Sequence, residues 1–218
     1  MKRWIRSWRL AAILPLRARS LARVLQISVG LLAAAIAILW HFGLSPSVQA
    51  IDIPSAANTQ WHQASFPVEN FQAYTSPFGY RSDPYGGDQR FHYGLDMAAP
   101  SGSYIRSWWG GQVIEVSDDS SCGTSVVVQS GNWMHIYCHM QGYVTQEGGS
   151  RYMLDSAGGL RIREGQLVDT GMRIGRIGMT GRTTGPHLHW GLKYAENWVD
   201  PALVLRAMYS SQQASVGR

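Results

Sequence analysis

The chain has 218 residues and a formal net charge of +5, and this charge is distributed unevenly. Seven of the nineteen basic residues lie within residues 1–23, and no acidic residue occurs before Asp52. The remainder carries twelve basic and fourteen acidic groups, a net charge of −2. A domain with this balance offers no cationic surface for phosphate backbones, so the composition argues against nucleic acid as a partner.

Residues 24–44 form an apolar run that follows the basic head formed by residues 1–23. As a helix, this run would be roughly 30 Å long, which matches the hydrocarbon core of a membrane. The positive charge predicts that the basic head is cytoplasmic and that the chain after the run lies outside. The run is therefore either a signal anchor or the core of a signal peptide that is cleaved after Ala50, and both alternatives stay open.

Residues 45–75 combine Pro, Ser, Ala, Gln and Asn without clear periodicity, which predicts a tether leading to a folded domain at residues 76–209. Within that domain, glycines separate short runs rich in Val, Ile, Tyr and Trp, as is typical of strands and turns. We therefore expect a mainly β domain built from an antiparallel sheet. A surface loop is predicted over residues 146–159, a short helix over residues 201–209 and a disordered tail over residues 210–218.

Two cysteines, Cys122 and Cys138, fall in the part of the chain that is expected outside the cytoplasm. Oxidation is favoured there, so a disulfide between them is one prediction. Two buried thiols that act as small apolar side chains are the other. Their spacing does not resemble that of a structural zinc site.

Four of the seven histidines fall in three short segments, one of which also contains an aspartate. The segments are residues 91–96 (FHYGLD), 137–140 (YCHM) and 185–190 (GPHLHW). Imidazole and carboxylate are the ligands of a borderline metal such as Zn²⁺. A catalytic zinc site typically takes three protein ligands and leaves the fourth position to water, and such a set can be assembled from these segments.

The spacing within the segments is compatible with such a site. His187 and His189 are two residues apart, so on a strand they share one face, and one could bind metal while the other stays free. Gly94 lies between His92 and Asp96 and permits a bend that would let those two side chains converge on one ion.

Several other residues have a simpler interpretation. His135 lies four residues before His139 and is predicted to be an ordinary strand residue rather than a support for a metal ligand. Four tryptophans could line a substrate groove, although side chains of this kind more often belong to the core: Trp108, Trp109, Trp133 and Trp190. On a strand, Trp190 would point away from its neighbour His189.

Four segments occur in an order that resembles the lysostaphin-like (LytM-type) zinc metallopeptidases. They are GYRSDP at 79–84, HYGLD at 92–96, YCHM at 137–140 and TGPHLHWGL at 184–192. The resemblance implies an antiparallel β-sheet domain with zinc in a groove and endopeptidase action on the cross-links or stem peptides of peptidoglycan. Residues 146–163 exceed the usual link in that family, which predicts an extra loop along the groove.

The resemblance also implies a role for each matching residue. His92, Asp96 and His189 correspond to the ligands of one zinc ion, whose bound water is the nucleophile. His187 is the expected general base, and His139 is expected to orient water or stabilise the tetrahedral intermediate. The roles of these two histidines could be exchanged.

A peptidoglycan-directed enzyme with this N-terminal segment is expected in the periplasm or another extracytoplasmic part of the cell envelope. It would be anchored in the inner membrane by residues 24–44, or secreted after cleavage. A regulatory protein partner is not identified by the sequence. The alternatives are a non-enzymatic regulator that activates cell-wall hydrolases, which the intact ligand set argues against, and a protease that acts on exported proteins.

Overall fold

The computed structural model describes residues 61–216, which fold into a mainly β domain with one long helix. The basic head at residues 1–23, the apolar run at residues 24–44 and the cleavage site after Ala50 all lie outside the described residues. Between residues 61 and 216, no helix combines the length and apolar character needed to cross a membrane.

Every strand pairing in the described domain is antiparallel, as the sequence predicts. In chain order, the strands are β1 (Ala73–Ser76), β2 (Gly79–Ser82), β3 (Gln89–His92), β4 (Leu95–Ala98), β5 (Tyr104–Arg106), β6 (Gly111–Ser117), β7 (Ser125–Ser130), β8 (Trp133–Cys138), β9 (Tyr143–Glu147), β10 (Ser150–Asp155), β11 (Leu160–Arg163), β12 (Leu167–Val168), β13 (Arg173–Arg176), β14 (His187–Tyr194) and β15 (Asn197–Val199). Eight of them form the central sheet, in the order β1-β4-β14-β8-β7-β6-β12, with β15 paired to β14.

The core lies against one face of the central sheet because the strand residues alternate between apolar and polar. In β14, Leu188 and Trp190 are completely buried, whereas His187 and His189 are only partly buried on the opposite face. The largest side chains of the core include Trp108, Tyr137, Trp190, Met97 and Ile105. This alternation leaves one face of β14 free to build a polar site.

The prediction of a surface loop over residues 146–159 is wrong, because this segment belongs to a three-stranded sheet in the order β11-β10-β9. Gly148 and Gly149 both have positive φ and form the two-residue turn between β9 and β10. Met153 and Ile162 anchor this sheet with completely or almost completely buried side chains. The sheet's residues do not line the groove described below, so the predicted extra loop along that groove is also wrong.

The folded domain begins before residue 76, so the tether prediction is wrong for residues 61–75. Trp61 is buried against the rings of Trp108 and Trp133, with centroid distances of 6.0 and 5.9 Å. Val68 is also buried and bridges to the strand β5. These apolar side chains complete the core and therefore hold residues 61–75 against the domain.

A helix, α1 (Pro201–Val216), closes the described chain and is longer than the predicted 201–209. Its first turn is capped by Asp200, whose Oδ1 accepts a hydrogen bond from the backbone N–H of Ala202 at 2.8 Å. Near its end, Gln212 Nε2 donates to the carbonyl of Ala64 at 2.9 Å. The predicted disordered tail is therefore wrong for residues 210–216, which are helical.

Candidate metal centre and groove

Three side chains from neighbouring strands meet at one point on the polar face of the sheet. His189 Nδ1 lies 2.9 Å from Asp96 Oδ1 and 2.9 Å from His92 Nε2, and His92 Nε2 lies 3.1 Å from Asp96 Oδ1. The structure thus brings together the three residues that the sequence predicts as ligands, and they form a group that could hold a metal ion. We call His92, Asp96 and His189 the ligand cluster.

The register of the central sheet explains this convergence. His189 in β14 is the direct partner of Asp96 in β4, so their side chains project from the same face. His92 ends the neighbouring strand β3, and Gly94 brings the chain back against the sheet. A Cβ on Gly94 would lie 2.6 Å from Cε1 of His189, so this glycine is required for a close approach.

The ring orientation of His92 and the charge of Asp96 are both suited to metal binding. His92 Nδ1 lies 2.7 Å from the carbonyl oxygen of Pro77, to which it donates, so the lone pair on Nε2 faces the cluster. Burial alone would raise the pKa of Asp96, but its hydrogen bonds with His189 and His92 outweigh this effect and hold the pKa well below its usual range. Burial also lowers the pKa of His189, which favours the neutral imidazole that a metal requires.

The donor set of the cluster fits a single zinc ion. His92 Nε2 and Asp96 Oδ1 are both acceptors, and one proton on His189 Nδ1 would have to serve both of them. A cation would satisfy all three lone pairs at once. Tetrahedral zinc with bonds of about 2.1 Å separates its ligand atoms by roughly 3.4 Å, which is close to the observed distances of 2.9 to 3.1 Å.

Two further histidines, His139 and His187, lie beside the cluster with their ring centroids 4.8 Å apart. His139 Nδ1 lies 2.9 Å from the carbonyl oxygen of Thr180, and His187 Nδ1 lies 2.8 Å from that of Gly185. Each Nδ1 therefore carries the proton, and each Nε2 keeps a lone pair. His187 Nε2 is 3.6 Å from Asp96 Oδ1. We call His139 and His187 the free pair, because no atom of theirs belongs to the three-atom ligand cluster.

The backbone around His139 is unusual and firmly held. His139 has a left-handed conformation, with φ of 62°, which is uncommon for a residue other than glycine. Its N–H donates to the carbonyl of Cys122 at 2.8 Å, and Cys122 forms a disulfide with Cys138, the residue before His139. The structure thus decides between the two alternatives for the cysteines. Burial lowers the pKa of His139 to about 4.

All five of these polar residues line one groove with a volume of about 330 Å³. Sequence reasoning missed its other polar and aromatic lining residues, which include Arg81, Asp83, Arg90, Arg182, Tyr85, Tyr93 and Trp198. Arg81 and Asp83 lie inside the segment GYRSDP, and Arg182 lies just before TGPHLHWGL. The position of these charged residues in or next to the family-like segments was the signal that could have identified them as groove residues.

The remaining sequence candidates lie in the core. Trp108, Trp133 and Trp190 are buried and Trp109 packs against them, so none of the four lines the groove. Trp190 points away from His189, as predicted. His135 is completely buried, with its ring 5.0 Å from that of Trp108, so it is a core residue rather than a support for a ligand.

Several known proteins are similar to this chain. The DD-carboxypeptidase/endopeptidase Mpg of Neisseria meningitidis is 31% identical over 131 residues, covering 60% of this chain and 26% of that protein. The peptidoglycan DD-endopeptidase ShyA of Vibrio cholerae is 34% identical over 102 residues, covering 46% and 20%. The chain thus spans about a quarter or less of the length of these relatives.

A crystal structure of a zinc-containing peptidase from Vibrio cholerae is similar at a TM-score of 0.48 and 29% identity, covering 66% of this chain and 38% of that one. The family model for peptidase family M23 matches residues 90–150 and 144–201. These ranges include the ligand cluster and the free pair, and together they span more than half of the 218 residues. The chain therefore belongs to peptidase family M23.

Proposed function

We propose that the chain is a zinc-dependent endopeptidase that hydrolyses peptide cross-links or stem peptides of peptidoglycan in the cell envelope. The observation that carries this proposal is the division of five polar side chains into two sets. Three ligand atoms lie within 3.1 Å of one another, and two imidazoles beside them each keep a lone pair on Nε2. Family membership and the activities of the two relatives support the substrate class.

In this proposal, His92 Nε2, Asp96 Oδ1 and His189 Nδ1 would hold the zinc ion. When bound, the ion supplies a Lewis acid that polarises the scissile carbonyl and lowers the pKa of the attacking water. The protein contributes the orientation of the ligands. The carbonyl of Pro77 fixes the ring of His92, and the opposed positions of Asp96 and His189 in the sheet fix the other two.

The free pair would move the protons. His187 Nε2 accepts the proton of the attacking water and later delivers it to the leaving amine. His139 orients the water or stabilises the negative charge that develops on the carbonyl oxygen. The carbonyls of Gly185 and Thr180 hold the two rings so that each Nε2 is available. The two roles remain exchangeable.

The proposal places the domain outside the cytoplasm, where peptidoglycan lies. The disulfide between Cys122 and Cys138 supports this location, because structural disulfides persist in oxidising compartments. Anchoring in the inner membrane by residues 24–44 is part of the same proposal, with a cleaved and secreted form as the alternative.

The test combines metal content with hydrolysis of isolated peptidoglycan by the purified chain. We expect about one zinc per chain in the wild type, with release of soluble muropeptides detected by mass spectrometry. Both should be lost in His189→Ala. The control His62→Ala, which changes an exposed histidine outside the groove, should retain both. A zinc-loaded wild type that binds peptidoglycan but leaves it intact would contradict the enzyme and favour the non-enzymatic regulator.

A further inference from the structure

The groove carries an excess of positive charge that the proposed chemistry does not use. Apart from the ligand Asp96, its charged lining residues are three arginines and one aspartate, Asp83. We call Arg81, Arg90 and Arg182 the arginine rim. Apart from Asp96, these lining residues carry three positive charges and one negative charge, which leaves this part of the groove cationic.

Two of the arginines lie directly opposite each other. Arg81 in β2 and Arg90 in β3 are cross-strand partners in a two-stranded sheet. Like charges at such positions destabilise a sheet. The Nε atom of Arg81 is also buried and has no hydrogen-bond partner among the described residues. Two cross-strand arginines are an arrangement that a bound anion would stabilise.

The third arginine, Arg182, already binds a carboxylate of the protein itself. Arg182 Nη2 donates to both oxygens of Asp83, at 3.0 and 2.9 Å, and its guanidinium lies 4.4 Å from the ring centroid of Tyr85. Arg90 Nη1 is 3.8 Å from the same carboxylate. The side chains of Arg90 and Arg182 remain 58% and 39% exposed, so both have donors that solvent or a ligand can reach.

We propose that the arginine rim binds a free carboxylate of the peptide substrate and thereby determines which cross-links are cleaved. The inference rests on the proposed function, because it names the substrate chemistry of the same groove. Asp83 acts as an internal competitor for that carboxylate. Arg90 and Arg182 are the specificity-determining residues, and Arg81 adds to the local positive charge.

This recognition separates two kinds of cross-link by their chemistry. In a direct cross-link to a diamino dicarboxylic acid, the carbon attached to the scissile nitrogen also bears a carboxylate. An all-glycine bridge is neutral along its length. A cationic rim favours the first kind because a guanidinium group forms charge-assisted hydrogen bonds with a carboxylate and gains nothing comparable from a neutral backbone.

The first experiment compares two synthetic cross-linked peptides that are identical except that this carboxylate is free in one and a primary amide in the other. With the zinc-loaded full chain, we expect kcat/KM to be about tenfold or more higher for the free carboxylate. A pentaglycine-bridged peptide should behave like the amide. Equal kcat/KM for the free and amidated peptides would overturn the proposal.

Two variants that break the same ion pair provide the decisive comparison. Arg182→Gln should lower the ratio of kcat/KM for the free carboxylate to kcat/KM for the amide about tenfold. Asp83→Asn should raise kcat/KM for the free carboxylate severalfold, because it removes the competitor and its amide oxygen can still accept from the Tyr85 N–H. A purely structural ion pair would give losses of the same sign in both variants, and that result would overturn the proposal.

Arg161→Gln is a matched control. Arg161 also pairs with a carboxylate, Glu147 at 2.8 Å, and lies over a tyrosine ring, Tyr152 at 4.0 Å, but it lies outside the groove. It should leave the ratio between the two substrates unchanged.

A binding measurement keeps this inference separate from the proposed hydrolysis. If the zinc-loaded chain cleaves neither peptide, the endopeptidase proposal fails. Calorimetric Kd values for the same two peptides still test the rim. A preference for the free carboxylate that is lost in Arg182→Gln supports it, and equal Kd values overturn it.

Discussion

The ligand cluster and the free pair lie side by side in one groove, but different parts of the fold hold them. Asp96 and His189 are direct partners in adjacent strands of the central sheet, so their positions follow from its register. The rings of His139 and His187 are fastened through Nδ1 to the carbonyls of Thr180 and Gly185, which lie in the segment between β13 and β14.

In the proposed mechanism, this difference separates metal binding from proton transfer. A change in the sheet near the cluster should affect metal binding first, because the ligand atoms depend on strand pairing. A change in the segment before β14 or next to the disulfide should disturb the free pair and leave the ligands in place. The variants below that change the free pair, the disulfide or Gly94 therefore have two readouts, zinc binding and the rate of hydrolysis.

The largest effect is expected from the free pair itself. His187→Ala and His139→Ala should each lower kcat by roughly 10²- to 10⁴-fold, because in the proposed mechanism each residue handles a proton or a developing charge. Zinc content should stay near that of the wild type, since neither residue belongs to the ligand cluster. Loss of zinc from either variant would break the separation between the two sets.

His135 is a useful contrast to the groove histidines, because it is buried in the core and does not line the groove. Burial lowers its pKa to about 3 from the ordinary 6.5, so the unfolded chain binds a proton before the folded chain does. The buried neutral ring of His135 contributes its full stabilisation above about pH 6.5. This stabilisation is lost as the pH falls toward 3, because protonation then favours the unfolded chain. The loss is about 5 kcal/mol at most.

The measurement is the free energy of unfolding of the zinc-free chain between pH 7 and pH 4.5, compared with that of His135→Phe. The phenylalanine cannot titrate and can still pack against Trp108, so the variant should show a shallower decrease toward low pH. His139 and the carboxylates contribute to both chains and cancel in the difference. Identical slopes would mean that His135 takes up its proton in the folded state as readily as in the unfolded chain.

Removing the disulfide tests how the backbone next to His139 positions the free pair without changing the ligand cluster. Replacing Cys122 and Cys138 together by serine should lower the free energy of unfolding by about 3 kcal/mol, given their separation of 16 residues. It should also lower kcat about tenfold, because Cys138 precedes His139 and the carbonyl of Cys122 accepts the His139 N–H. Zinc content should not change. A variant that keeps full kcat would show that the hydrogen bond to Thr180 is sufficient to place the ring.

The antiparallel β class could be predicted from local patterns, whereas the assignment of the site residues followed from the resemblance of their segments to the lysostaphin-like peptidases. Glycine-separated runs of β-branched and aromatic residues indicated strands, and the two-residue spacing of His187 and His189 put both on one face. The partnership of Asp96 with His189 could not be predicted this way, since cross-strand register depends on pairing between distant segments.

The errors have identifiable physical causes. Residues 146–159 contain a two-glycine turn signal. The flanking strands are largely polar, so the sequence pattern did not indicate that Met153 is buried. Residues 61–75 lack periodicity, and Trp61 packs into the core from a short 3-10 turn rather than from a strand or a long helix. Residues 210–216 are polar, and their helix continues from an apolar first half that packs on the domain.

Gly94 offers the smallest and most local change, and it acts on the ligand cluster. The sequence predicted that this glycine permits a bend, but its backbone is not left-handed, and the actual constraint is space. A Cβ would lie 2.6 and 2.7 Å from two atoms of the His189 ring and 2.8 Å from the Trp190 carbonyl. Gly94→Ala should therefore destabilise the fold by about 1–3 kcal/mol and displace His189.

Because this displacement affects a ligand, Gly94→Ala should lower zinc affinity at least about tenfold, measured by competition with a chelator. Gly110→Ala is the matched control, since a Cβ there meets its nearest atoms at 3.4 to 3.6 Å, an ordinary contact distance, and should leave both stability and zinc affinity nearly unchanged. If Gly94→Ala lost kcat while binding zinc normally, the sheet would be positioning the free pair as well, and the two sets would not be independent.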